Sequence, residues 1–222
     1  MMKKISMTVV ILLSLVGLLV HLHSKEHKNK VDLPSKRTQE QYDLEQEFQP
    51  LFDFLEAKDK DWGKVERYQV YTIERINNQK TVTRISLDNV NSRFYGKYQL
   101  EQGTIKKESE ISLENNRINA HNKDLNSPLA QKFFTIQVPR GYFRESPIVD
   151  YLMKHPETNL RTITYEFYGK QFSELVDIYG LQSIEKCDVE LWQESNNQYS
   201  LEVVFGENNR FFVIHYSLLF KE

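Results

Sequence analysis

From Val65 to Glu114 apolar and polar side chains alternate with a period of two, and the alternation is broken only at short polar pairs. The runs Val65 to Ile76, Thr81 to Leu87, Arg93 to Glu101 and Thr104 to Glu114 are separated by Asn77-Asn78, Asp88-Asn89 and Gln102-Gly103. Such connections are too short for the crossover that a parallel pair needs, so the pattern predicts an antiparallel meander. Ile105, Ile111 and Leu113 against Lys106, Ser112 and Glu114 predict one buried and one wet face. The chain closes with three more predicted strands, Asp188 to Glu194, Tyr199 to Phe205 and Phe211 to Lys221. In the last, Phe212, Ile214, Tyr216, Leu218 and Phe220 share one face, which places that strand at the centre of the core.

Helical spacing appears elsewhere. Thr38-Gln39-Glu40-Gln41 has the form of a capping box, in which hydroxyl and later side chain satisfy free amides at a helix start. Leu44, Phe48, Leu51, Phe52 and Leu55 follow, and Pro50 predicts a kink or two short helices. Ser127-Pro128 and Ser146-Pro147 each read as an N-cap with proline at the first helical position. Leu129 and Phe133 would mark one inner face; Ile148, Tyr151 and Leu152 would mark another, ending at His155-Pro156. A βαβ-like unit is predicted from a strand at Arg161 to Tyr168 and a helix through Phe172, Leu175, Val176 and Tyr179, capped by Gly180. The resulting expectation is an α+β fold: a membrane helix, then a largely antiparallel sheet of meander plus three-stranded segment, packed with several helices.

The N-terminus carries Lys3 and Lys4, an almost unbroken apolar run from Met7 to Val20, and a charged remainder. Stretched from Ile5 to Leu22, the run would span roughly 27 Å as a helix, close to the bilayer's hydrocarbon thickness. The exit Val20-His21-Leu22-His23-Ser24 lacks small residues at A-x-A spacing, which predicts an uncleaved anchor. Lys25, Lys28, Lys30, Lys36 and Arg37 outnumber the two leading lysines and alone would argue for a cytoplasmic domain. The layout of basic head, apolar run and polar remainder argues for export and is given more weight. The expected organisation is an anchor over 1–23, a flexible tether over 24–37 and one extracytoplasmic domain over 38–222.

The 29 basic and 31 acidic side chains balance to a net charge of −2, without the concentrated basic face that nucleic acid requires. Cys187 is the sole cysteine, so an internal disulfide or thiolate metal cluster is excluded; it is expected to be a partly buried residue at a strand start. His21, His23 and His27 cluster at the membrane exit without carboxylates or thiols to complete a metal shell. His121, His155 and His215 fit no H-E-x-x-H spacing, and His215 shares a strand face with Phe211 and Val213, as a packed or edge histidine would. No nucleophile elbow or phosphate loop is present. No cofactor, metal or catalytic residue is assigned. Phe94-Tyr95, Tyr142-Phe143 and Phe211-Phe212 would supply contact anchors if exposed. Arg140, Tyr142, Phe143 and Arg144, expected in a loop with flanking cations, are the preferred partner contact.

Ser92-Arg93-Phe94-Tyr95-Gly96-Lys97-Tyr98, Ile111 to Ile118 and Gln131-Lys132-Phe133-Phe134 resemble phrases of the tandem-type lipoproteins, the conserved staphylococcal antigens. Glu174 to Leu181, Ser200 to Phe205 and Ile214-His215-Tyr216-Ser217 are also similar, so the likeness runs patchily from Thr72 to Phe220. Leu15-Val16-Gly17 has the form of a lipoprotein tripeptide, but Leu18 stands where the lipidated cysteine would follow. The resemblance implies a membrane-held, surface-exposed, non-enzymatic protein of a Gram-positive envelope that contacts a protein or host surface. The alternatives are an envelope hydrolase using carboxylates and an anchored component of an envelope assembly that docks through the helix from Thr38 to Ala57.

Overall fold

A computed structural model describes residues 37–57, 60–76, 79–114, 117–120, 136–181, 187–207 and 210–221. Gln39–Glu222 forms one compact unit. The expected anchor, the expected tether up to residue 36, His121 and the Ser127-Pro128 helix lie outside the described residues. No helix among the described residues is long and apolar enough to cross a membrane.

The four strands of the predicted meander are β1 (Val65–Ile76), β2 (Gln79–Val90), β3 (Arg93–Gln102) and β4 (Ile105–Glu114), extended by β5 (Arg117–Ala120). A second meander contains β6 (Ile148–Leu152), β7 (Arg161–Phe167), β8 (Cys187–Gln193), β9 (Gln198–Glu207) and β10 (Arg210–Phe220). β10 pairs antiparallel with β1 and fuses the two into one ten-stranded sheet of order β5-β4-β3-β2-β1-β10-β9-β8-β7-β6. Both edge strands are short, which limits the unpaired backbone they expose.

The helices α1 (Gln39–Glu47), α2 (Gln49–Glu56), α3 (Arg140–Glu145) and α4 (Gly169–Tyr179) all pack on one face of this sheet. Pro50 divides α1 from α2 in place of a kink, and Leu44, Phe48, Leu51 and Phe52 are buried beneath them. Phe48 meets Tyr199 of β9, Phe143 of α3 meets Tyr165 of β7, and Tyr179 of α4 meets Phe205 of β9 at centroid distances of 6.3, 5.0 and 5.8 Å. The hydroxyls of Tyr179 and Tyr216 lie 3.0 Å apart inside the core, and Tyr165 Oη donates to Glu45 at 2.7 Å, so the buried phenols are satisfied. Ile214, Tyr216 and Leu218 are fully buried on β10, as their alternation predicts.

The α+β expectation is overturned: one antiparallel sheet dominates and the helices are few and short. The C-terminal part of that sheet is a five-stranded meander, not the three-stranded segment expected. The helix expected after Ser146-Pro147 is the edge strand β6. A bulge at Val149 places Ile148 and Tyr151 on the same, core-facing side, three residues apart, and that gap imitates a helical repeat. The βαβ-like unit is corrected too, since β7 and β8 are antiparallel neighbours; α4 ends on Gly180 at φ 66°, as predicted.

Candidate functional site

Register determines what the opposite face presents. Among the described residues no helix covers it, and its side chains form cross-strand rows at right angles to the strands. One row runs Lys97, Ser86, Gln69, Ser217, Ser200 and Trp192 across β3, β2, β1, β10, β9 and β8. The next runs Gln99, Arg84, Tyr71, His215, Glu202 and Glu190 over the same strands. Serines at the middle of the first row leave a depression between longer neighbours. It is a trough of about 490 Å³, with Gln69, Tyr71, Ser86, His215 and Ser217 in its lining.

Hydrogen bonds hold its two sides. On one, Lys97 Nζ and Gln99 Nε2 donate to the two oxygens of Glu108 at 2.7 and 3.0 Å. The bond from Lys97 lowers the Glu108 carboxyl below its ordinary value, and Gln99 adds to the effect. On the other, Ser200 Oγ and Gln198 Nε2 donate to Glu194 at 2.9 and 2.7 Å, folding that carboxylate over the fully buried serine. Gln69 Nε2 donates to Ser86 Oγ at 3.3 Å along the floor. Arg84 lies over the Tyr71 ring, 5.3 Å from its centroid, and pairs with Glu101 at 3.5 Å.

Beside the trough, His215 Nδ1 approaches Glu202 at 3.3 Å and its ring is 5.1 Å from that of Trp192. Across β6 to β9 this face carries Asp150, Glu166, Asp188, Glu190 and Glu202 and, among the described residues, no lysine or arginine. Burial raises the Glu190 carboxyl above its ordinary value, and the neighbouring Glu202 and Asp150 carboxylates reinforce the shift. Glu190 and Glu202 face each other across β8 and β9 but do not line the trough. Among the described residues no group of histidine, cysteine and carboxylates is arranged to hold a metal.

The Arg140 to Arg144 segment is a helix, not the loop expected from sequence. Phe143 is 2% exposed and packs on Phe52 and Phe167 at 5.5 and 5.4 Å. Tyr142 donates to Glu174, and its phenol is pushed up to about 12 by partial burial together with that carboxylate. Arg140 stacks on Phe52 and pairs with Asp53 and Glu56 at 3.6 Å; exposed Arg144 reaches Glu56 at 3.4 Å. This segment clamps α2 to β7. Phe94 and Phe212 are core, whereas Tyr95 is exposed and Phe211 lies on the helix-free face beneath Arg75.

His155 accepts the Glu157 amide at 3.3 Å in the turn after β6. Cys187 is fully buried, and burial pushes its thiol well up, making it a poor nucleophile. His215 is packed, as predicted, but on a central strand and toward the trough. Sequence reasoning missed Gln69, Ser86 and Ser217; the polar phase of the alternation places them on the wet face, but their convergence depends on strand register.

No protein-family model matches the chain, and no characterised protein is significantly similar to it.

Proposed function

We propose that the protein is an exported, membrane-tethered, non-enzymatic binding module whose helix-free sheet face is the working surface. The trough carries this reading: about 490 Å³, with a floor of neutral hydrogen-bonding side chains, Arg84, Lys97 and Glu194 at its sides, five paired strands beneath it and hydrogen bonds holding both sides. Sites on a paired sheet are better preorganised than sites on loops. The apolar run from Met7 to Val20 supports tethering. The phrases resembling tandem-type lipoproteins support surface display, with anchoring through the helix because Leu18 offers no thiol for lipid.

The burial of Cys187 makes a clean test available, because the native thiol contributes little background to labelling. In Gln99→Cys, the new thiol is expected to react with a membrane-impermeant maleimide on intact cells. Labelling only after permeabilisation would place the domain inside and end the proposal. A photo-crosslinker at position 99 is expected to capture an external ligand that one at Lys170, on the helix side, does not. Equal capture from both positions, or none from position 99, would remove the sheet face as the working surface.

A further inference from the structure

The trough's chemistry restricts what it can hold, given the reading of this face as the working surface. We infer that it binds a neutral, polyhydroxylated ligand, a linear oligosaccharide lying across the strands. A sugar hydroxyl both donates and accepts, and it pairs best with side chains that do the same. Gln69, Gln198, Ser86, Ser217 and Tyr71 are of that kind, and all line the trough. Glu194, held at the rim by Ser200 and Gln198, adds an acceptor for adjacent hydroxyls. Tyr71 offers part of its ring to the C–H face of a sugar. From β3 to β9 there are four inter-strand steps, about 19 Å at the usual strand spacing, a length suited to several linked rings.

Other ligand classes match less well. An anionic ligand would want uncompensated cations, but Arg84 is matched by Glu101 and Lys97 by Glu108, and Glu194 and Glu202 lie on the far side. A cationic ligand would want a free carboxylate, but Glu194, the carboxylate among the described lining residues, already accepts from Ser200 and Gln198. An extended peptide recognises unpaired backbone at a sheet edge, whereas β1 and β10 at the trough's centre are paired on both sides. A lipid chain would desolvate the serines and amides without satisfying them.

The test presents the full chain, in a detergent without a sugar headgroup, to an array of neutral and acidic oligosaccharides and a lysine-rich peptide. A neutral oligosaccharide is expected to bind. Ser217→Leu, which fills the floor, and the milder Gln69→Ala should weaken binding about tenfold or more. Lys106→Ala, exposed and outside the trough lining, should leave it unchanged. Thermal unfolding of each variant separates lost binding from lost fold. Binding only to acidic glycans or to the peptide, binding to none, or neutral-glycan binding that survives both trough substitutions would overturn the inference. External cross-linking from position 99 without glycan binding would remove the ligand class and leave the working surface standing. Glycan binding in vitro with an inward-facing domain would do the reverse.

Discussion

Gly96 shows how a single missing side chain sets the approach of two strands. A Cβ there would lie 1.8 Å from the Ser86 carbonyl oxygen and 2.8 Å from its carbonyl carbon, and backbone atoms cannot swing away as a flexible side chain does. Gly96→Ala is therefore expected to cost about 1–3 kcal/mol or more by forcing β3 from β2. An unchanged melting temperature would show that the strands separate without penalty. Ser86 lies on the trough floor, so the same substitution should also weaken any ligand held there. Glu190 makes a pH-dependent contribution. Its carboxyl is raised in the folded protein, so the native state is penalised where the group is charged. That penalty is present above the folded-state value and fades as pH falls toward the ordinary value, near 4.3. Glu190→Gln should accordingly raise the melting temperature at pH 7, with the advantage shrinking toward pH 4. A variant less stable than the parent at neutral pH would contradict the sign.

Among the elements, α3 is the one whose role differs most from what its sequence suggests. Arg140-Gly141-Tyr142-Phe143-Arg144 reads as an exposed loop, because glycine and two arginines flank the aromatics. In the structure the aromatics turn inward between α2 and β7. Phe143→Ala should cost about 3–5 kcal/mol, as for other buried phenylalanines. Arg144→Ala should cost at most about 1 kcal/mol, because its ion pair is solvated. Chemical denaturation of the pair separates a structural clamp from a contact loop; similar small losses in both would refute the clamp. Local signals were sufficient where they agreed: the alternation in β1 to β4, the Pro50 break and Gly180 are all legible. β6 was not, because its bulge gives Ile148 and Tyr151 a helix-like gap behind a serine-proline start. The trough was not legible for a different reason. Gln69, Ser86 and Ser217 become neighbours only when β1 pairs with both β2 and β10, and β1 and β10 come from opposite ends of the domain.

At the scale of the whole molecule, the β1–β10 ladder decides whether the two meanders behave as one body. Val65 faces Phe220 and Ile76 faces Arg210, so eleven residues of β10 close a loop that spans nearly the entire domain. Contacts this distant in sequence are costly to form, which predicts slow folding. They also join the two meanders, since Ile214 and Tyr216 belong to the same buried cluster as Leu87 on one side and Leu201 on the other. Two tryptophans make the coupling measurable. Trp62 sits against Tyr68 and Phe94 in the first meander, at 4.9 and 5.7 Å, while Trp192 lies on β8 in the second. If the sheet unfolds as a unit, Trp62→Phe and Trp192→Phe variants, each with one remaining fluorophore, should report coincident denaturation midpoints once corrected for their own stability changes. Introducing Ile214→Ala, with an expected loss of about 2–5 kcal/mol, should move both midpoints together. If only the Trp192 signal shifted, the ladder would be a weak seam between two independently stable meanders. The trough, which straddles that seam, would then change shape as they moved. Coincident shifts would mean that its floor is held by the most cooperative part of the fold.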